Sequence, residues 1–278
     1  VTDTADWTAT LTLSTGDQPD ATWTVGTVPA APGDLPDWTL PETGVAGGGG
    51  GGSGPAGLTG VAGWWDATRI SGVADAALLA AWPDSSGNGY DLAQATGANQ
   101  PTYYSTTGAG LINGKAAVTF DGANTWMLTA ALAEPQPFTL AAVAQNTLTT
   151  VNLQKPLAGS TLSATVHLYA NLSATTFISC WGYAGATVVA GNYTPRTGQA
   201  HLFVLGANGA TSYAYFDGAA ATGAGGSNAM SGAFYVGGIG PSFSWQGMIG
   251  EVMVWPRLLS AGQVTQLHGY CQDKWNVP

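Results

Sequence analysis

Trp245-Gln-Gly-Met-Ile-Gly-Glu-Val-Met-Val-Trp-Pro-Arg-Leu-Leu-Ser260 decides how this chain is read. In an extended segment Met248, Val252 and Val254 share one face, and Ile249, Met253 and Trp255 share the other. A strand apolar on both faces is normally covered on both sides. Pro256 has no N–H to give a ladder, so the strand ends at Trp255. Ser260 then opens a helix, with Gln263 at the third position of a capping box. Val264, Leu267, Cys271 and Trp275 recur at helical spacing and make one apolar stripe. The unit is a buried strand, a turn and a short helix lying back on a sheet.

Upstream of this unit the chain breaks into strand-like runs at 117–120, 126–132, 138–145, 165–169, 176–181, 201–205 and 212–216, separated by Gly, Asn, Pro and Thr turns. Residues 74–82 read as a short helix or turn. Regular strand-and-turn spacing of this kind predicts an all-β antiparallel sandwich with a short C-terminal helix. The closing stretch also resembles the last strand and helix of laminin-G-like, concanavalin A-like sandwich domains. Trp82-Pro-Asp-Ser-Ser-Gly-Asn-Gly-Tyr-Asp-Leu92, Val118-Thr-Phe-Asp-Gly122 and Tyr215-Phe-Asp-Gly218 extend that resemblance over residues 63–276. It implies a jelly-roll β-sandwich. Function stays open, because this sandwich hosts lectins, adhesins, glycanases and virion parts.

The first 44 residues differ from the rest. Asp3, Asp6, Asp17, Asp20, Asp34, Asp37 and Glu42 face no basic residue there. Alternation at 7–13 and 21–25 predicts a hairpin, and Pro29, Pro32, Pro36 and Pro41 predict an extended tail. So small a segment needs a partner surface, and 1–44 is expected to be an acidic docking segment. Residues 45–63 follow as a Gly-rich linker, with glycine unbroken from Gly47 to Gly52. Glycine also falls at 48, 51, 54, 57, 60 and 63, and the alternative is a glycine-packed contact in a homo-oligomer. Residues 64–278 are assigned to the sandwich.

Composition narrows the partners. Only 8% of the 278 residues are charged, against roughly 25% in an average domain, and the formal net charge is −10. Six scattered Lys and Arg make no phosphate-binding stripe, which argues against nucleic acid. No run of eighteen apolar residues is present to cross a membrane as a helix. The start at Val1 is unlike a secretory signal, leaving either a trimmed signal or export by assembly into a virus particle. Cys180 and Cys271 could form one disulfide, though the stripe position of Cys271 favours a buried thiol.

Two candidate sites emerge. Asp84, Ser86 and Asn88 stand at alternate positions before Gly89, with Asp91 beyond, in the manner of a calcium loop. Ala95 occupies the twelfth position where an EF-hand needs Glu, so a turn held by Asp and Asn side chains competes with a calcium site. The second candidate is aromatic: Trp126, Trp181, Tyr183 and Trp245 lie beside turns, where their faces could stack on sugar rings. No catalytic residue is assigned. The three glutamates, Glu42, Glu134 and Glu251, form no close pair of the kind glycoside hydrolysis uses. Glu251 is expected to be structural, bonded to backbone or to Arg257. His167, His201 and His268 are isolated.

The poverty of charge, the lack of a signal and the glycine-rich connector resemble minor tail or fibre proteins of phages infecting high-GC Gram-positive hosts. That resemblance implies a non-enzymatic virion protein, anchored to other virion proteins through 1–44 and turned towards host-surface glycan. A secreted bacterial carbohydrate-binding module is the alternative, and a glycanase-like enzyme the third reading.

Overall fold

The structure is a computed structural model that describes residues 10–13, 21–24, 54–106, 108–129, 132–147, 153–160, 166–174, 177–195, 198–238 and 245–278. Two compact units divide the chain, Val1–Gly48 and Gly49–Pro278. In the first, Thr10–Leu13 and Ala21–Thr24 pair antiparallel, with Leu11 opposite Trp23. The proline-rich stretch and the glycine run lie outside the described residues.

In the second unit two antiparallel sheets face each other. Among the described residues the first sheet has nine strands, in the order Ala219–Gly223, Ser212–Phe216, Ala200–Ala207, Phe138–Asn146, Gln246–Trp255, Ala117–Asp121, Thr102–Tyr104 and Ala77–Leu78, with Gly63–Asp66 also paired to Gln246–Trp255. The second has eight: Thr187–Pro195, Phe177–Tyr183, Val166–Ala174, Leu153–Ser160, Phe234–Val236, Met127–Thr129, Leu92–Ala93 and Ala81–Trp82. Their inner faces interdigitate in one core, in which Phe120, Leu140, Phe203 and Phe216 meet Met127, Leu168, Cys180 and Phe234. Trp65 stacks on Phe234 across the gap at 5.3 Å. This is an antiparallel jelly-roll β-sandwich with a C-terminal helix.

A second apolar layer lies on the outside of the first sheet. The helix Ala261–Trp275 begins at the Ser260–Gln263 capping box and ends at Asn276, whose left-handed φ of 54° closes it. Val264, Leu267, Cys271 and Trp275 are buried against Met253, Trp255, Leu202 and Val204. Each large side chain so covered contributes about 1.5–3 kcal/mol. Leu58 and Val61 join this layer, so residues 54–63, the last part of the stretch expected to be linker, pack on the sandwich instead. Cys180 and Cys271 are both free, one in each apolar layer.

The closing strand departs from simple alternation. Its register against Phe138–Asn146 shifts between Val143, opposite Glu251, and Ala144, opposite Ile249. The bulge leaves Gly250 unopposed. It puts Ile249, Val252 and Val254 in the sandwich core and Met248, Met253 and Trp255 under the helix. The even-and-odd grouping expected from sequence is therefore wrong across Gly250, because a bulge inserts one residue and reverses the pleat beyond it. Glycine is required there: a Cβ would stand 2.7 Å from the Trp275 ring. Residues 74–82 are likewise not a helix but contribute the stubs Ala77–Leu78 and Ala81–Trp82.

Candidate functional site

The helix layer lies on the outside of the first sheet, and the outer face of the second sheet carries a run of aromatic side chains. One transverse row crosses six of its strands in register: Leu128, Tyr235, Gly159, His167, Tyr183 and Thr187. At roughly 4.8 Å per strand the row spans roughly 24 Å. A neighbouring row runs Pro156, Tyr169, Trp181 and Val189.

The row is aromatic and close-knit. The His167 ring lies 5.1 Å from that of Tyr169 and 6.2 Å from that of Tyr183, nearly parallel to the latter at 25°. Trp126 packs on Tyr235 at 5.5 Å. Its backbone is fixed by Asn99 O, which accepts from its N–H, and by Gln94 Nε2, which donates to its carbonyl. Trp126, Tyr169, Tyr183 and Tyr235 are half-buried, whereas His167 is only 2% exposed. Gly159 makes room for the imidazole, since a Cβ at that position would come within 2.8 Å of His167 Nδ1.

Two polar atoms on this face have no partner. His167 Nδ1 and Trp126 Nε1 are buried and unbonded. The other such atoms among the described residues lie elsewhere: Trp82 Nε1 in the core, Trp255 Nε1 under the helix and Thr119 Oγ1 on the first sheet. Burial depresses the His167 pKa to about 4, so the ring is neutral at ordinary pH. Burial, with Tyr183 alongside, pushes Tyr169 up to about 12. No acidic residue occurs anywhere between Glu134 and Asp217, a span that includes the four strands from Leu153 to Pro195. Among the described side chains of this face the chemistry on offer is stacking and neutral hydrogen bonding.

The four aromatic candidates of the sequence divide. Trp126 and Tyr183 lie on this face. Trp181 pairs in register with Tyr169, and its side chain lies outside the described residues. Trp245 does not belong: it is fully buried in the sandwich core, where its Nε1 donates to Met248 O. Proximity to Pro241 suggested a turn position, but the ring points inward. Sequence reasoning missed Tyr169, Tyr235 and His167 as site residues. The alternation His167-x-Tyr169 and Trp181-x-Tyr183 was the available signal, because residues two apart share a face.

The calcium reading of Asp84, Ser86, Asn88 and Asp91 does not fit. Asp84 Oδ1 accepts from Trp64 N and Ser86 N, and Oδ2 accepts from Ser86 Oγ and Tyr90 N. Asp91 Oδ1 accepts from Asp84 N, and Asn88 turns its NH₂ to Val61 O and Ala62 O. Each Asp84 oxygen already accepts from two protein donors, which uses both of its lone pairs, and calcium takes six to eight oxygens. This loop ties Trp64, Val61 and Ala62 together. Among the described residues no three His, Cys, Asp or Glu gather where a metal could sit.

Glu251 is held in a cage rather than by Arg257. Its Oε1 accepts from Trp64 Nε1 at 2.6 Å and Tyr270 OH at 2.9 Å; its Oε2 accepts from Trp275 Nε1 at 2.6 Å and Lys274 Nζ at 3.2 Å. Lys274 also bridges to Asp66 at 2.6 Å. Burial raises the Glu251 pKa, and Lys274 opposes the rise. Arg257 instead donates to Gln263 Oε1 and Thr59 O. Because Glu251 is wholly buried and both oxygens are engaged, it cannot reach a substrate. His201 is likewise internal, its Nδ1 2.5 Å from Asp217 Oδ2. Beside the helix a groove of about 320 Å³ is lined by Tyr213, Tyr215, Ala220, Val264 and neighbours. It is apolar, and Tyr213 OH already donates to Leu259 O.

The fold defines the class: an antiparallel β-sandwich with one C-terminal helix. No family model and no curated protein matches the sequence. Solved structures do. Trypanosoma rangeli sialidase in complex with sialic acid superposes with a TM-score of 0.52 at 16% identity, covering 80% of this chain and 36% of that one. Domain 4 of AbnA, a GH43 extracellular arabinanase from Geobacillus stearothermophilus, in complex with arabinotriose, gives 0.52 at 14% identity, over 75% of this chain and 98% of the domain. This chain thus spans about a third of the sialidase but matches nearly the whole of the arabinanase domain. At these identities the likeness is one of fold.

Proposed function

We propose that this chain is a non-catalytic carbohydrate-binding adhesion protein, whose ligand lies on the aromatic outer face of the second sheet. The observation that carries this reading is the row from Leu128 to Thr187 with Trp126 beside it, in which half-buried aromatic rings flank unpartnered polar atoms and no strand of the row carries a carboxylate. Aromatic faces bind sugars through their apolar ring faces, and a few placed polar groups fix orientation. Glycoside hydrolysis ordinarily needs a pair of carboxyl groups flanking the bond, and the strands of this face supply none. Among the structures similar in fold, the arabinanase domain is in complex with arabinotriose, which agrees with a sugar ligand.

The setting we propose is a virion: a minor tail or fibre component, joined to other virion proteins through residues 1–44 and presenting the sandwich to a host-surface glycan. Uniform acidity of that segment and the low charge of the chain support it. The test has two parts. Antibody against the sandwich should label intact particles, and the purified full chain should bind host cells unless Trp126 is changed to Ala. Absence from particles removes the virion setting. Host-cell binding unaffected by Trp126→Ala removes the aromatic face as the adhesive surface.

A further inference from the structure

Resting on that reading, we infer that the ligand is an uncharged oligosaccharide of at least two sugar units, which completes the hydrogen bonding of His167 Nδ1 and Trp126 Nε1. Three observations lead here. First, the two orphan atoms have different needs. An indole N–H only donates, while a neutral imidazole nitrogen donates or accepts according to its tautomer. Sugar hydroxyls do both, so one kind of ligand group satisfies both atoms whichever tautomer His167 adopts. A carboxylate only accepts, and bringing it to a buried site without a cation is costly.

Second, the described side chains of this face carry no charge. Tyr169 and Tyr183 lie against His167, Leu128, Tyr235 and Thr187 continue the row, and no carboxylate occurs between Glu134 and Asp217. Among its described side chains an acidic sugar finds no cation to pair with; the side chain of Lys155, on the strand Leu153–Ser160, lies outside the described residues. Third, the atoms are too far apart for one ring. His167 Nδ1 stands over Gly159, which neighbours Tyr235, and Trp126 packs on Tyr235 at 5.5 Å. One strand spacing of about 4.8 Å plus that ring contact sets them roughly 10 Å apart. Trp126 and His167 therefore engage different units of one chain, with Tyr235 between them as the stacking surface.

The test is a printed array of neutral oligosaccharides (gluco-, galacto-, manno- and arabino-series) beside sialylated and uronic-acid glycans, probed with the full chain. His167→Phe keeps an aromatic ring but lacks Nδ1, and Trp126→Phe keeps a stacking face but lacks the N–H. Near-UV circular dichroism checks that each variant folds. The inference expects neutral oligosaccharides to bind, their monosaccharides to bind at least tenfold more weakly, acidic glycans to fail, and each variant to lose tenfold or more. Preferential binding of acidic glycans that Trp126→Phe weakens would overturn the neutral-ligand inference while leaving the aromatic face as a glycan site. Full affinity in both variants would overturn the assignment of the two atoms. Binding to no glycan would overturn this inference together with the reading on which it rests.

Discussion

Glu251→Ala should be among the most destabilising substitutions in the sandwich. The change removes the acceptor shared by Trp64 Nε1, Trp275 Nε1, Tyr270 OH and Lys274 Nζ. Both indoles are buried, at 3% and 0% exposure, so their N–H groups have no water to turn to. A buried donor left unpaired costs about 1–3 kcal/mol, and removing one partner of a buried ion pair costs about 3–5 kcal/mol. These effects overlap at one side chain and do not add in full. Lys274 retains Asp66, which limits the ionic part. A loss of about 4–6 kcal/mol follows, a large share of the 5–15 kcal/mol typical of a domain. Glu251→Gln keeps the shape and one acceptor but sets an NH₂ group against N–H donors, so its loss should be smaller by at least about 1 kcal/mol. Urea unfolding followed by tryptophan fluorescence measures both. A loss below about 1 kcal/mol for Glu251→Ala would show that the cage does not tie the closing strand to the helix and to Gly63–Asp66.

Trp255→Ala should lose about 3–5 kcal/mol by the same assay, because the ring is fully buried under the helix; a change within about 0.5 kcal/mol would contradict that placement. The His167 pKa lies near 4 in the folded chain against an ordinary 6.5. Its contribution is therefore intact above about pH 6.5 and declines as pH falls towards 4, by about 3 kcal/mol in all. Glu251, whose pKa is raised, acts in the opposite sense. The difference in stability between wild type and His167→Gln across pH 4–7 isolates the histidine, and a flat difference would refute its burial in the neutral form. Chelating calcium should leave the unfolding midpoint unchanged, since the Asp84 loop oxygens are occupied by protein donors. A midpoint lowered by chelator would restore the metal site.

Much of the fold was legible because the closing unit states itself locally. The capping box, the helical stripe and Pro256 each act within a few residues, and all three appear where the sequence put them. The faces of the closing strand were not legible, because the bulge at Gly250 depends on Trp275 lying against it, a contact set by tertiary packing. Leu153–Ser160 escaped notice as a strand because Pro156 and Gly159 read as breakers. In the sheet, Pro156 lies at a register shift and Gly159 beneath an imidazole. The site was legible only in part for a related reason. Trp126 and Tyr183 could be picked out beside turns. Tyr235 joins them only through pairing with Leu128 and Gly159, partners far off in sequence. Trp245 shows the converse: a turn neighbour whose ring enters the core.

Hydroxyl-radical footprinting of the full chain, with and without a bound neutral oligosaccharide, tests the central claim most directly. The account predicts that protection concentrates on Trp126, Tyr169, Tyr183 and Tyr235, while Tyr213 and Tyr215 beside the helix stay as reactive as before. Protection confined to Tyr213 and Tyr215, with the aromatic row unchanged, would contradict it.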